Sequence, residues 1–162
     1  MTKPEPMVLQ TIILWMHALA GAAWVAACLC FVIAGLALAS GSEEQRNFAL
    51  RAAPKIVGFN LMAAILVLLS GGINLVFAGL ARNFNFSSDF ARILALKLAL
   101  FVLMFLALLY TLRASRALPD DSRPDEPLDA LDDRVAVMVR MHAAIAFMGA
   151  IALLLGLWLM GT

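Results

Sequence analysis

The sequence predicts an all-α fold: a single integral membrane domain, residues 1–162, that forms a four-helix bundle with antiparallel up-down topology. Four apolar runs predict its helices, and they are residues 8–39, 56–81, 93–112 and 141–161. Each run provides about the 20 residues that the hydrocarbon core of a bilayer requires. Apolar residues make up 64% of the chain and charged residues 14%. A soluble domain of this composition would expose more apolar surface than one core can hide.

The first run, residues 8–39, predicts a retained helix rather than a cleaved signal peptide. It is about ten residues longer than the apolar stretch of a signal peptide, and no small-residue cleavage site leads into a polar mature domain. Within it, Cys28 and Cys30 are about 200° apart around the helix axis. They can neither pair with each other nor bind one ion together, so we interpret them as small packing residues.

The polar connections between the runs predict the orientation of the chain. Residues 40–55 and 113–140 hold three and five of the twelve basic residues, eight in all. By the positive-inside rule we expect both connections in the cytoplasm and both termini on the periplasmic side of a bacterial inner membrane. Charged and apolar residues alternate over residues 129–140, so the fourth helix is expected to begin in water. The net charge of +1 argues against a nucleic-acid partner.

Polar side chains inside an apolar run mark candidate functional sites, because each costs a few kcal/mol or more in lipid. No internal repeat and no large extramembrane domain is visible, so any chemistry is expected among the helices. The candidates in or beside the runs are His17, Trp24, Asn60, Asn74, Lys97, Arg140 and His142.

His17 and Trp24 share one face of the first helix, because their spacing brings them within about 20° of each other around the axis. The small residues Ala20 and Gly21 between them predict a recess for a flat ligand. An imidazole in a helix bundle is a usual axial ligand of haem iron. His17 is therefore a candidate haem ligand, with Trp24 beside the macrocycle. The alternative is a histidine hydrogen-bonded to a neighbouring helix, with Trp24 as packing.

Lys97 lies about one and a half turns inside Arg92, where a lysine can extend its ammonium to the membrane surface. The third helix starts on the same side of the membrane as the first, so Lys97 and His17 are expected in the same leaflet. The functional alternative is that the Lys97 ammonium neutralises a haem propionate or a substrate carboxylate.

His142 is expected on the other side of the bundle from His17. Helix rise predicts that the heights of the two residues differ by about 20 Å, so one iron cannot bind both within a monomer. Met138, Met141 and His142 follow i, i+3, i+4 spacing, and two thioethers with an imidazole suit a soft ion such as Cu(I). The alternative is adaptable packing by the methionines.

Asn60 and Asn74 nearly eclipse each other on the second helix, which also carries Ser70, Gly71 and Gly72. Such residues commonly hold membrane helices together through close backbone approach and hydrogen bonds. For Asn74 a sharper alternative is a hydrogen bond that orients His17.

Several short segments resemble two membrane protein families. They are Leu14-Trp15-Met16-His17 followed by Trp24, Glu44-x-Arg46 with Arg51 and Pro54 opening the second helix, and Leu96-Lys97-Leu98-Ala99-Leu100 in the third. With this pattern the chain resembles the HemJ-type protoporphyrinogen oxidases. The same pattern, with the ending Arg116-Ala117-Leu118-Pro119, is similar to the CopD-type copper-resistance membrane domain.

The HemJ resemblance implies a haem b protein that oxidises a tetrapyrrole precursor, with His17 as haem ligand and Lys97 needed for activity. The CopD resemblance implies copper handling. Met138, Met141 and His142 have no counterpart in the HemJ pattern, whereas haem binding requires only His17 and its recess.

Three functions therefore compete. The first is a haem b membrane redox protein, an oxidoreductase if enzymatic, that acts on a tetrapyrrole or a quinone-like partner. Its second axial ligand would be Met160, Asn74 or an open position, and a homodimer would shield the macrocycle from lipid. The second is a Cu(I) carrier or sensor that uses Met138, Met141 and His142. The third is a non-catalytic accessory subunit of a membrane complex, in which the polar residues serve packing.

Overall fold

The computed structural model describes the backbone of residues 5–40, 43–116 and 128–161 and the side chains of residues 8–36, 51–116 and 133–158. Within these residues the chain forms four α-helices and no strand. The helices are α1 (Glu5–Ser40), α2 (Glu43–Ala81), α3 (Ser88–Arg116) and α4 (Leu128–Gly161). The predicted all-α, four-helix fold is confirmed.

Each helix contains a segment that is long and apolar enough to cross a membrane. These segments are Val8–Leu36, Arg51–Ala81, Ser88–Arg116 and Asp133–Trp158. Large apolar side chains cover the outside of the bundle; Trp15, for example, is 64% exposed and Ile33 is 67% exposed. The chain is therefore a multi-pass membrane protein.

The helices extend beyond the apolar runs that predict them. The sequence places Pro54 at the opening of the second helix, but α2 begins at Glu43 and contains Pro54 in its interior. That expectation was wrong, because the helical backbone continues ahead of the apolar run, from Glu43 onward. Inside a helix proline removes one backbone donor and crowds the carbonyl oxygen four residues earlier, so Pro54 has a local cost within α2. The fourth helix, α4, begins at Leu128, ahead of its apolar run, as the alternating charged and apolar residues 129–140 predict.

The four helices form a closed ring. α1 packs against α2 and α4, and α3 packs against the same two helices, so α1 and α3 face each other across the bundle. The inward side chains recur every three or four residues, as on one face of a helix. They include Trp24, Cys28 and Phe31 of α1, Val57, Asn60 and Ala64 of α2, Met104, Leu108 and Thr111 of α3, and Met138, His142 and Ile145 of α4. Cys28 is buried and Cys30 is exposed, as their predicted separation requires.

A tight turn connects α2 to α3. Asn83 and Phe84 adopt left-handed backbone angles, with φ of 48° and 57°. The backbone N–H of Phe84 donates to the carbonyl of Gly79 at 2.7 Å, which terminates α2. The hydroxyl of Ser87 accepts a bond from the N–H of Phe90 at 3.2 Å and caps the start of α3. We call this end of the molecule the α2–α3 end.

Candidate functional site

The His17 imidazole is held in one orientation by α2. Its Nδ1 lies 3.1 Å from the carbonyl oxygen of Val67 and 3.0 Å from the hydroxyl oxygen of Ser70. The Ser70 hydroxyl donates its proton to the carbonyl of Leu66, so its oxygen accepts from the imidazole. In the neutral ring Nδ1 therefore carries the proton, and the lone pair on Nε2 stays available to a ligand.

Gly71 provides the space for this ring. A Cβ at Gly71 would lie 2.9 Å from Cε1 of His17, closer than a side chain can approach without displacing the imidazole. At Gly72 a Cβ would meet nothing within 4 Å. Of these two adjacent glycines, Gly71 is thus the one that lets α1 and α2 approach with His17 between them.

Lys97 lies at the same height as His17. Its Nζ lies against α4, where a Cβ at Gly156 would be 3.0 Å away. α1 and α4 are antiparallel, and Gly21 of α1 faces Leu153 of α4. One helical turn closer to the α2–α3 end, His17 of α1 is therefore level with Gly156 of α4.

All four helices thus contribute to one layer near the α2–α3 end, which we call the His17–Lys97 layer. Its members are His17, Ser70, Gly71, Lys97 and Gly156. In the described part of the chain no carboxylate pairs with Lys97, and the Asp89–Arg92 ion pair, at 3.5 Å, is exposed. The layer therefore combines a cation with an oriented imidazole, the two groups that the sequence predicts in one leaflet.

Trp24 lies below this layer, in the packed centre of the bundle. Its side chain is 2% exposed and meets Phe101 edge to face, with 5.9 Å between the ring centroids. Leu153 of α4 faces the recess predicted between His17 and Trp24, and a Cβ at Gly21 would lie 3.4 Å from it, an ordinary van der Waals contact. The small residues were visible in the sequence, but the side chain that faces them from α4 was not. Trp24 and His17 are about 10 Å apart along α1.

His142 belongs to a different layer. Its ring is fully buried and stacks on Phe31, with 4.0 Å between centroids and 14° between planes. Phe31 lies fourteen residues after His17 on α1, which corresponds to about 21 Å of helix. The predicted separation of the two histidines is confirmed.

The ring of His142 is also oriented by its own helix. Nδ1 lies 2.8 Å from the carbonyl oxygen of Met138, whereas the buried Nε2 has no hydrogen-bond partner. Met138 is fully buried and Met141 is half-buried. The three residues of the predicted copper site therefore lie together on α4, on or beside its inward face.

The two asparagines occupy different environments. Asn60 is fully buried, and neither its amide nitrogen nor its amide oxygen has a partner. Asn74 is half-buried and its buried Nδ2 has no partner. His17 Nδ1 bonds to Val67 and Ser70, so the alternative in which Asn74 orients His17 is wrong, and packing stays the prediction for Asn74. Ser70, one turn earlier on α2, takes the place of Asn74 beside His17. In the sequence, the serine next to two glycines indicates a close helix contact on α2. The height of Ser70 relative to His17, however, depends on how the two helices pack.

Two further candidates lie elsewhere. Met160 is in α4, but its side chain lies outside the described residues. The exposed Arg140 is near the His142 layer. Among the described residues there is no group of three or more His, Cys, Asp or Glu side chains that could hold a metal ion. Comparison with known protein families, with curated proteins and with solved structures finds no match to this chain.

Proposed function

We propose that the chain is a haem b-binding redox protein of the bacterial inner membrane. The observation that carries the proposal is the orientation of His17, whose Nδ1 is bonded to Val67 and Ser70 while Nε2 stays available. A porphyrin brings its own equatorial nitrogens, so one oriented imidazole is a sufficient protein ligand for its iron. When bound, haem supplies the electron-transfer chemistry, and the protein supplies orientation and charge.

The polar groups of the His17–Lys97 layer have separate roles in this proposal. Ser70 and the Val67 carbonyl fix the plane of the axial imidazole. Lys97, which has no carboxylate partner among the described residues, neutralises a haem propionate or the carboxylate of a substrate. If a second residue held the haem iron together with His17, Asn74 and Met160 would be the candidates.

The substrate that we propose is a tetrapyrrole precursor of the protoporphyrinogen type. Such a molecule is flat, largely apolar and carries carboxylates, and the layer offers a cation inside an apolar bundle. Its oxidation would release electrons to a quinone-like acceptor dissolved in the membrane. The chain would then be an oxidoreductase, and the resemblance to the HemJ-type enzymes supports the same reaction.

The test is the absorption spectrum of the purified protein after expression with haem synthesis intact. We expect a Soret band that is absent in His17→Ala. The matched control is Trp15→Phe, which changes an exposed side chain two residues away on α1 and should keep the band. A colourless wild-type protein, or a His17→Ala variant with full haem content, would contradict the proposal.

A second candidate function, Cu(I) binding at Met138, Met141 and His142, is favoured by one observation. The Nε2 atom of His142 is buried without a partner, and its lone pair is available because Nδ1 donates to the Met138 carbonyl. Thioethers and imidazole suit Cu(I). Stoichiometric copper without haem, lost in His142→Ala, would support this function. A protein that binds neither haem nor copper would instead support the accessory subunit.

A further inference from the structure

Below the His17–Lys97 layer, three inward side chains on three helices have polar atoms without partners. Trp24 of α1 is 2% exposed, and Asn60 of α2 and His142 of α4 are 0% exposed. The unpartnered atoms are Nε1 of Trp24, Nδ2 and Oδ1 of Asn60, and Nε2 of His142. Buried polar atoms in proteins are nearly always hydrogen-bonded to protein or to ordered water. Four such atoms in one bundle interior therefore call for hydrogen-bond partners beyond the protein.

The three side chains lie in one continuous stretch of the bundle interior. His17 of α1 contacts Val67 and Ser70 of α2, and the two helices are antiparallel. Residues before Val67 on α2 therefore lie at the heights of residues after His17 on α1. Asn60 accordingly lies between the heights of Trp24 and Cys28. His142 stacks on Phe31, one turn below Cys28. From Trp24 to Phe31 the distance along α1 is about 10 Å, a length that two or three water molecules can bridge.

Several of the side chains in this stretch are small. Cys28, Ala63, Ala64 and Ala146 are buried in the same part of the core. Alanine and cysteine take up less volume than larger apolar side chains, and buried water in proteins is found where such a region is also polar.

The donor and acceptor pattern identifies the class of ligand. Trp24 Nε1 and Asn60 Nδ2 are donors, whereas Asn60 Oδ1 is an acceptor. His142 Nε2 is an acceptor as well, because Nδ1 donates to the Met138 carbonyl. The lone pairs of the two acceptors would repel an anion, and the N–H groups of the two donors would repel a metal cation. A neutral molecule that both donates and accepts satisfies all four atoms.

We propose that ordered water molecules bind in the bundle core between Trp24, Asn60 and His142 and join α1, α2 and α4 through hydrogen bonds. The water extends a polar path from the level of Phe31 to within about 10 Å of His17. This site is independent of haem, because none of its groups belongs to the His17–Lys97 layer.

The test is nuclear magnetic resonance of the whole protein with ¹⁵N-labelled tryptophan in detergent micelles. We expect a water-to-indole cross-peak at Nε1–H of Trp24, identified by its loss in Trp24→Phe. Trp15 and Trp158, 64% and 63% exposed, serve as controls, since their replacement by Phe should leave the Trp24 cross-peak unchanged. Asn60→Leu, which removes the central amide, should abolish the cross-peak.

Three results would overturn the proposal. The first is a wild-type Trp24 indole without a water cross-peak, a measurement that holds even if Asn60→Leu does not fold. The second is an unchanged cross-peak in a folded Asn60→Leu variant. The third is copurified copper in a one-to-one ratio that disappears in His142→Phe, because the metal would then occupy Nε2.

Discussion

At the scale of single residues, the two histidines share one type of hydrogen bond but lie in different surroundings. Both rings have Nδ1 next to a backbone carbonyl oxygen, that of Val67 for His17 and that of Met138 for His142. His17 is half-buried and lies at the same height as Lys97, whereas His142 is fully buried under Phe31. An ionisable side chain within a membrane span costs free energy, so the presence of one favours a functional role. The combination with a cation makes His17 the stronger ligand candidate.

Lys97 provides the sharpest test at this scale. If its ammonium neutralises a bound carboxylate inside the bundle, Lys97→Met should fold normally but bind carboxylate-bearing tetrapyrrole about a hundredfold to a thousandfold more weakly. That range corresponds to the loss of about 3 to 5 kcal/mol when one partner of a buried ion pair is removed. Titration of the purified protein with haem measures the change directly.

The matched control is Arg92→Met, which removes a basic residue from the same helix. The side chain of Arg92 is 80% exposed and pairs with Asp89, so haem affinity should change less than about threefold, as expected for an exposed ion pair. Equal haem affinity in wild type and Lys97→Met would leave Lys97 as a lysine that extends to the membrane surface.

At the scale of helices, small residues set the distance between neighbours. Gly149 of α4 lies against Val25 and Gly35 of α1 against Val139, while Gly71 of α2 lies against His17. In lipid, helices gain little from hiding apolar surface, so close packing and hydrogen bonds provide the stabilisation. Glycine at these contacts allows the backbones to approach. The His17 site therefore depends on the packing of α1 against α2.

Gly71→Ala should disturb this contact. The added methyl group would lie 2.9 Å from Cε1 of His17 and push the imidazole away from its hydrogen bonds. We expect a loss of about 1 to 3 kcal/mol in stability, typical of overpacking, together with weaker haem binding. Denaturant-induced unfolding in detergent, followed by circular dichroism, measures the stability.

Gly72→Ala is the control, since its methyl group would meet nothing within 4 Å. It should leave stability unchanged or raise it by up to about 1 kcal/mol, because alanine favours a helix over glycine. A similar loss in both variants would show that the effect comes from the helix backbone and not from contact with His17.

At the scale of the whole molecule, the bundle separates two polar layers along its axis. The His17–Lys97 layer lies near the α2–α3 end, and the His142 layer lies about 21 Å away by helix rise. Trp24 and Asn60 lie between these layers in the core. A substitution in one of these layers therefore makes no direct contact with the side chains of the other layer.

His142→Ala tests this separation. The variant should retain the haem that depends on His17, because the two residues lie in layers about 21 Å apart. Haem content per folded protein, compared with that of His17→Ala, measures the outcome. A loss as complete as in His17→Ala would indicate a shared site, contrary to the stacking of His142 on Phe31.

Membrane orientation is a second property of the whole chain. The positive-inside rule predicts that both termini are periplasmic, because the first and third connections hold three and five of the twelve basic residues. An alkaline phosphatase reporter fused after Thr162 should be active, and a green fluorescent protein at the same position should be dark. The reverse pattern would place the His17–Lys97 layer in the cytoplasmic half of the membrane.

The sequence by itself determined the number of helices, because a run of about 20 apolar residues has no stable alternative in lipid. It also determined which residues share a helix face, as the buried Cys28 and the exposed Cys30 show. Fixed rise also separated His17 from His142 before any packing was known, since about 1.5 Å per residue applies to every α-helix.

Only the tertiary structure decided which residues meet across helices. Ser70, and not Asn74, bonds to His17, and Leu153 of α4 faces Gly21. Both outcomes depend on the axial offset and rotation between two helices. Those are set by the combined packing of many small side chains, and no single helix encodes them. The polar atoms of Trp24, Asn60 and His142 likewise became a cluster only when three helices brought them together.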